Sequence, residues 1–138
     1  MHVLMGYTAM ATLANEEQAK YWLPKFRSWE VIACYAQTEL GHGSNVAGLE
    51  TTAIFDKEKN DIIINSPTPT STKWWPGDMS RFSTHAIVYA QLILNGAKSG
   101  LQPFLVQIRD KDYNLVPGIE TGDMGLKFGY ESKDNGWL

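Results

Sequence analysis

The sequence contains a single cysteine, Cys34, which excludes an internal disulfide and a cysteine-based metal cluster. It contains no apolar run close to the roughly 20 residues that cross a bilayer, so we expect no membrane span. It has no basic excess, because its formal net charge is −3, and nucleic acid is therefore not an expected partner. The apolar start Met1–Leu13 lacks a basic region and a cleavage site, which argues against a signal peptide.

The composition is that of an ordinary soluble globular protein, with 43% hydrophobic and 20% charged residues among 138. This length is sufficient for one domain with a sizeable core. Cys34 lies in an apolar run and is predicted to be a buried, unreactive thiol, as suits a reducing compartment. The last residues, Asn135–Leu138, are not a Ser-Lys-Leu peroxisomal signal. The sequence stops abruptly on apolar residues, which predicts that the chain is truncated.

The first quarter of the chain is predicted to be helical. Met1–Leu13 is apolar and small, which favours a buried helix. Asn15 followed three residues later by Gln18 is typical of a capping box that opens a second helix. This second helix is expected to end near Pro24, because proline interrupts helical hydrogen bonding.

From Val31 the pattern changes to short strands rich in β-branched and aromatic residues. The charged stretch Lys57–Asn60 and the pair Asn95-Gly96 have the composition of turns. The predicted strands are Val31–Ala36, Thr51–Asp56, Asp61–Asn65, Thr84–Leu94 and Phe104–Arg109. We therefore expect a mainly β fold, a compact antiparallel β-barrel or sandwich preceded by two short α-helices.

One candidate site is the segment CYAQTELGHGSN, Cys34–Asn45, in which Thr-Glu precedes a Gly-His-Gly turn. Glycine lets the backbone approach a flat ring or an anionic oxygen closely, and Thr38 offers a hydroxyl and an amide. A glycine-rich surface loop explains the same residues, and the spacing alone favours that explanation.

A second candidate site is the segment TKWWPGD, Thr72–Asp78. Neighbouring strand residues point to opposite faces, so one of Trp74 and Trp75 can face the core and the other a ligand. A tryptophan ring suits stacking on a flavin. Both tryptophans are equally well explained as core residues at the end of a barrel. Lys73, which precedes them, is expected to be a solvated charge at the strand end.

These segments, together with GLETTA, STHAIVYAQLI and KFGYESKDNG, resemble in the same order the middle domain of peroxisomal acyl-CoA oxidases, within the acyl-CoA dehydrogenase superfamily. The resemblance implies FAD as cofactor, with Thr38 and Gly77 as flavin-binding positions and Gln37 and Trp75 as further cofactor-binding residues. The related dehydrogenases carry a similar Thr-Glu-x-Gly-x-Gly-Ser element, which implies that Gly43 and Ser44 contact the acyl-CoA substrate.

The resemblance also predicts what separates an oxidase from a dehydrogenase. The dehydrogenases have Trp-Ile-Thr where this chain has Trp75-Pro76-Gly77. We hypothesise that Gly77, without a side chain, leaves room for dioxygen at the flavin edge. The family's catalytic glutamate belongs to a C-terminal helical domain without a counterpart here, so no catalytic base is assigned. His42 and His85 are expected to be structural, and no metal site is predicted.

The implied reaction is the α,β-dehydrogenation of acyl-CoA to trans-2-enoyl-CoA in fatty acid β-oxidation, with dioxygen as acceptor and hydrogen peroxide as product. The resemblance implies a peroxisomal location and a homodimer for the full-length protein. Residues 1–28 would end an N-terminal helical domain, and residues 29–138 would form the middle β-domain. Two alternatives remain open: a dehydrogenase that uses a protein electron acceptor, and a non-catalytic module if the natural chain ends at Leu138.

Overall fold

Two helices lead into two β-sheets in the computed structural model, which describes all residues, Met1–Leu138. The helices are α1, Thr8–Leu13, which continues a π-helical turn over His2–Tyr7, and α2, Glu16–Arg27. The strands are β1, Ala33–Ala36; β2, Thr52–Asp56; β3, Asp61–Asn65; β4, Trp74–Gly77; β5, His85–Leu94; β6, Ala97–Gln107; β7, Gly122–Asp123; and β8, Asn135–Trp137. None of the helices has the length and apolar character to cross a membrane.

The predicted start of helix α2 is confirmed. The amide of Gln18 donates to Asn15 Oδ1 at 2.8 Å, and the amide of Asn15 donates to Gln18 Oε1 at 3.1 Å, which completes a capping box. The predicted end near Pro24 is wrong, because the helix continues to Arg27. Proline removes only its own N–H from the helix, and its carbonyl still accepts from the amide of Ser28 at 3.0 Å.

The first helical segment forms as predicted, but only one of its faces is buried. Its buried residues are His2, Gly6 and Ala9, three or four positions apart, whereas Leu4 is exposed. Gly6 packs directly on β1, since a Cβ there would lie 2.7 Å from the carbonyl oxygen of Ala33. The expectation of a buried helix therefore holds for one face only, and glycine is needed for this close approach.

Strand β5 organises the larger sheet. On one side it forms a hairpin with β6 through Asn95-Gly96, whose φ angles of 52° and 79° are those of a tight two-residue turn. On its other side β1 and β2 both run parallel to β5, and β3 pairs antiparallel with β2. The smaller sheet has the antiparallel order β4-β8-β7.

The mainly β fold with two N-terminal helices is confirmed, but the strand pairing is mixed and the sheets do not close into a barrel. The parallel pairs arise because long connections, rather than hairpin turns, bring β1 and β2 to β5. Strand β6 also begins earlier than predicted, at Ala97, because it pairs with β5 directly after the turn.

A gap in the larger sheet positions the candidate site. Strand β1 pairs with β5 over His85–Val88, and β2 pairs with β5 over Gln91–Ile93. Between the two strands the chain leaves the sheet as a loop, residues 37–51. The residues from Gln37 to Ser44 are therefore presented at an interruption of the ladder rather than within a continuous strand.

The main buried cluster combines small residues with the larger side chains of Met79 and Ile108. It consists of Cys34, Ala36, Met79, Ala86, Val88 and Ile108. A second cluster, Phe26, Val31 and Ala33, joins helix α2 to the start of β1. The helical segment and the larger sheet thus share a core.

Cys34 is fully buried, in agreement with its prediction as an unreactive thiol, and burial raises the pKa of this thiol to about 12. We expect the native chain at pH 8 to react with a thiol reagent many times more slowly than the urea-unfolded chain. Absorbance from Ellman's reagent measures both rates. Stoichiometric labelling of the native chain within minutes would contradict this prediction.

Candidate functional site

The two segments singled out in the sequence lie side by side. Residues Thr38–Gly41 run antiparallel to residues Thr70–Trp74, and three backbone hydrogen bonds join them. The donor and acceptor pairs are Trp74 to Thr38, Leu40 to Thr72 and Gly41 to Thr70, each at 2.9 Å. The glycine turn and the tryptophan corner therefore form one continuous surface.

Thr38 presents unused hydrogen-bond donors on this surface. Its carbonyl accepts from Trp74, but neither its amide nor its hydroxyl has a partner within the chain. The side chain is half-buried, so a ligand can reach it. Thr38 can donate two hydrogen bonds to an acceptor such as a ring nitrogen or carbonyl oxygen.

The two glycines of the turn, Gly41 and Gly43, have different surroundings. Glu39 and His42 exchange two backbone hydrogen bonds at 3.1 Å, which closes a tight turn. A Cβ on Gly41 would lie 2.8 Å from Thr70 Cβ, so internal packing requires glycine there. A Cβ on Gly43 would meet no atom within 4 Å. Gly43 and Ser44 are exposed, and the hydroxyl of Ser44 has no partner within the chain.

Trp75 is held in an unusual backbone conformation. Its φ is 64°, in the left-handed region that tryptophan rarely adopts, and its side chain is 54% exposed. Its carbonyl accepts from Asn135 Nδ2 at 2.7 Å, which links this corner to strand β8. A large apolar ring held outward by a strained backbone is typical of a contact surface.

Gly77 is buried, and the space beside it is filled. A Cβ at Gly77 would lie 2.5 Å from Met1 Cγ and 2.8 Å from Lys133 Cε. Both neighbours are held by Asp78, which accepts from the Met1 ammonium at 3.0 Å and from Lys133 Nζ. Burial alone would raise the pKa of Asp78, but these two cations outweigh it and lower the pKa. Within this chain, glycine at position 77 makes room for two flexible side chains.

A buried ion pair that the sequence did not predict lies behind this surface. Lys73 Nζ lies 2.9 Å from Glu39 Oε1, and the two residues are 1% and 2% exposed. The expectation that Lys73 is a solvated charge is wrong, because Glu39, 34 positions away, supplies a buried counter-charge. Nothing in the local sequence distinguishes this lysine from an exposed one, so only the fold brings the partners together.

The ion pair is completed by backbone groups. Lys73 Nζ also donates to the carbonyls of Gln37, at 3.2 Å, and Tyr89, at 2.6 Å. The Glu39 carboxylate accepts from the amides of Glu50 and Thr51, at 2.7 and 2.9 Å, and from the Thr51 hydroxyl. Every polar atom of the pair thus has a partner, as a buried ion pair requires.

The surroundings lower the pKa of both members of the pair, but for different reasons. Burial alone would raise the pKa of Glu39, but hydrogen bonds from Glu50, Thr51 and Lys73 outweigh it and lower the pKa. Burial lowers the pKa of Lys73, and its bond to Glu39 only partly offsets that effect. Glu39 is therefore held as a carboxylate, and because it is buried with both oxygens already hydrogen-bonded, it has no access to a substrate proton.

Glu39, His42 and Glu50 place one ligand atom each within 4.8 Å of one another. The carboxylate oxygens among them already have partners, since Glu50 accepts from two threonine hydroxyls and contacts His42 Nε2 at 3.4 Å. These contacts are typical of a turn that side-chain hydrogen bonds hold in place. The contact of His42 with Glu50 agrees with the sequence prediction of a structural histidine.

Comparison with protein families gives a match to "Acyl-CoA dehydrogenase, middle domain" over residues 34–138. The chain is 51% identical over 142 aligned residues to the putative peroxisomal acyl-coenzyme A oxidase 1.2 of Arabidopsis thaliana, which covers 100% of this chain and 21% of that protein. It is 50% identical to the human peroxisomal acyl-coenzyme A oxidase 1 over 92% of this chain and 20% of that protein.

Solved structures of the same group superimpose closely. Acyl-CoA oxidase 1 of Arabidopsis thaliana has a TM-score of 0.97 at 48% identity, covering 99% of this chain and 22% of that one. Acyl-CoA oxidase-2 of Caenorhabditis elegans, bound with FAD, ascaroside-CoA and ATP, has a TM-score of 0.95 at 40% identity, covering 99% of this chain and 21% of that one. The chain thus spans about a fifth of the length of these relatives.

Proposed function

Because the chain belongs to the acyl-CoA dehydrogenase middle-domain family, we propose that it forms the middle β-domain of an FAD-dependent acyl-CoA oxidase. The sequence-based resemblance to peroxisomal acyl-CoA oxidases is confirmed, with relatives about 50% identical across the chain. The proposed division places residues 1–28 at the end of a helical domain and residues 29–138 in the β-domain. The end of helix α2 at Arg27 supports a boundary near that residue.

The observation that carries the proposal is the joining of the two motif segments into one surface with unused donors. The amide and hydroxyl of Thr38 and the outward ring of Trp75 match the edge and the face of a flat heterocycle with acceptor atoms. We assign FAD binding to Thr38 and Trp75, with Gln37 and Gly77 as their neighbours. FAD, when bound, would supply the electron acceptor for oxidation of the substrate and would pass the electrons to dioxygen.

Gly43 and Ser44 are proposed to contact the acyl-CoA substrate. The space above Gly43 is open, and the Ser44 hydroxyl is free to donate to a thioester oxygen. The proposed reaction converts acyl-CoA to trans-2-enoyl-CoA in fatty acid β-oxidation, with hydrogen peroxide as the second product. The group that removes the proton is assigned to a part of the enzyme other than these residues. We further propose a peroxisomal location, by analogy with the named relatives. A homodimer is proposed for the full-length protein on the sequence resemblance alone.

A chimera tests this proposal. The chain would replace the matching stretch of the Arabidopsis peroxisomal acyl-coenzyme A oxidase 1, to which it is 49% identical. We expect the purified chimera to retain FAD, seen as flavin absorbance, and to produce hydrogen peroxide from an acyl-CoA. A folded chimera that lacks FAD would overturn the assignment of a flavin site to this chain. A chimera that keeps FAD but forms no hydrogen peroxide would overturn the oxidase assignment.

Two variants of the chimera separate the proposed roles. Thr38→Val should weaken FAD binding by about tenfold, since one donated hydrogen bond to the ligand is lost. Ser44→Ala should raise the KM for acyl-CoA with little change in FAD content. Thr12→Val is the matched control, because the Thr12 hydroxyl bonds only to carbonyls of its own helix. Equal FAD affinity in the Thr38 variant and this control would contradict the role of Thr38.

Substitution of Gly77 tests the proposed access of dioxygen. Gly77→Thr in the chimera should slow reoxidation by dioxygen more than reduction by acyl-CoA, because the added side chain occupies space beside the flavin edge. The substitution must also displace Met1 and Lys133, whose flexible side chains fill that space in this chain. Stopped-flow absorbance measures the two half-reactions separately, and the reductive half serves as the internal control. Unchanged reoxidation would refute the hypothesis.

A further inference from the structure

We infer that Lys73 and Glu39 are positioning residues that hold Thr38 and the loop after it in a ligand-binding arrangement. This inference rests on the proposed function, because it concerns the same flavin and acyl-CoA contacts. Neither residue is expected to touch a ligand, since both are almost completely buried behind the surface.

The Lys73 ammonium takes the place of a missing strand neighbour. Strand β1 leaves β5 after Val88, and the ladder resumes where the amide of Gln91 donates to the carbonyl of Thr51 at 2.8 Å. Between these points the carbonyl of Tyr89 has no strand to bond with on that side. Lys73 Nζ donates to it at 2.6 Å. The ammonium therefore supplies the donor that a continuous strand would have supplied.

The same ammonium holds both chain neighbours of Thr38. It donates to the carbonyl of Gln37 on one side and to the carboxylate of Glu39 on the other. Thr38 itself is bonded only through its carbonyl, to the amide of Trp74. The free amide and hydroxyl of Thr38 are thus held in place by bonds to adjacent residues, which leaves them available for a ligand.

The Glu39 carboxylate fixes the far end of the loop. It accepts from the amides of Glu50 and Thr51, the residues at which the chain returns to the sheet. The exposed turn that contains Gly43 and Ser44 is therefore held at both ends by one buried ion pair. Loss of the pair would leave the loop attached by its backbone bonds to Thr70–Trp74, by the threonine hydroxyls that donate to Glu50, and by Gln91 Nε2, which donates to the carbonyls of Ala47 and Leu49.

The experiment uses the chimera described above, with FAD affinity, thermal midpoint and amide hydrogen exchange as readouts. Lys73→Met should weaken FAD binding and raise the KM for acyl-CoA, each about tenfold or more, because precise placement of ligand contacts is lost. Residues 37–45 should exchange their amide hydrogens faster than in the unmodified chimera. Lys59→Met is the matched control, since Lys59 is exposed and lies 3.9 Å from Asp56.

A double variant distinguishes positioning from mere stabilisation. Glu39→Gln with Lys73→Met removes both buried charges, so the thermal midpoint should recover towards that of the unmodified chimera. The carbonyls of Gln37 and Tyr89 still lack their donor, so FAD affinity should stay weak and exchange over 37–45 should stay fast. This variant also decides the question if Lys73→Met alone does not fold.

Two results would overturn the inference. One is FAD affinity within about twofold of the unmodified chimera in a folded variant that lacks Lys73. The other is a double variant in which FAD affinity recovers together with the thermal midpoint, which would mean that the pair acts only through stability. Failure of the unmodified chimera to hold FAD is a different result, and it would refute the proposed function instead.

Discussion

Replacing Glu39 with alanine is expected to lower the free energy of unfolding of this chain by about 3–5 kcal/mol. The substitution leaves the Lys73 ammonium buried without its counter-charge, and it removes the acceptor for the amides of Glu50 and Thr51. An unpaired buried charge costs more than the pair itself contributes, which is why the expected loss is large.

Urea unfolding followed by tryptophan fluorescence measures this loss as a shift of the midpoint. Glu58→Ala is the matched control, because Glu58 is exposed in the turn between β2 and β3 and its carboxylate makes no ion pair. We expect that control to stay within about 0.5 kcal/mol of the unmodified chain. Similar midpoints for the two variants would show that Glu39 contributes no more than a surface residue.

The Glu39–Lys73 pair also predicts that the stability of the chain falls at acidic pH. The folded state lowers the pKa of Glu39 below its ordinary value of 4.5, so its contribution to stability is complete above that value. The contribution is lost as the pH falls through the lowered pKa, where protonation leaves Lys73 without a counter-charge. Glu39→Gln should therefore lose stability less steeply than the unmodified chain below about pH 4.5, as measured by urea midpoints across that range.

Replacing Phe26 with alanine should also destabilise the chain by about 3–5 kcal/mol. Phe26 is 1% exposed and packs with Val31 and Ala33, where helix α2 meets the larger sheet. Its ring stacks on that of His2 with centroids 5.4 Å apart. Truncation to alanine leaves a cavity among residues that both helices and β1 hold in position, so collapse can fill it only in part.

Phe128→Ala is the control for this prediction, because it removes the same atoms from a fully exposed side chain. Its cost should be below about 0.5 kcal/mol. Urea midpoints of the two variants give the comparison directly. An equal, small effect in both would mean that the helical segment does not share a core with the sheet.

Local patterns predicted much of the fold. The capping box at Asn15 and the turn at Asn95-Gly96 formed as expected, because each depends on residues next to one another in the chain. The direction of pairing could not be predicted in this way. The residues of β1 and β2 are compatible with either direction, and only the path of the connections makes both strands parallel to β5.

In the candidate site, too, some features follow from adjacent residues and others arise only from the fold. The sequence by itself determined the presence of the glycine turn and the Trp74-Trp75 corner, and with them the family, since both are runs of adjacent residues. The tertiary structure alone decided that the two segments bond to each other and that Lys73 and Glu39 pair behind them. The physical reason is burial: a charge 34 positions from its partner is an ordinary surface residue until folding excludes water from both.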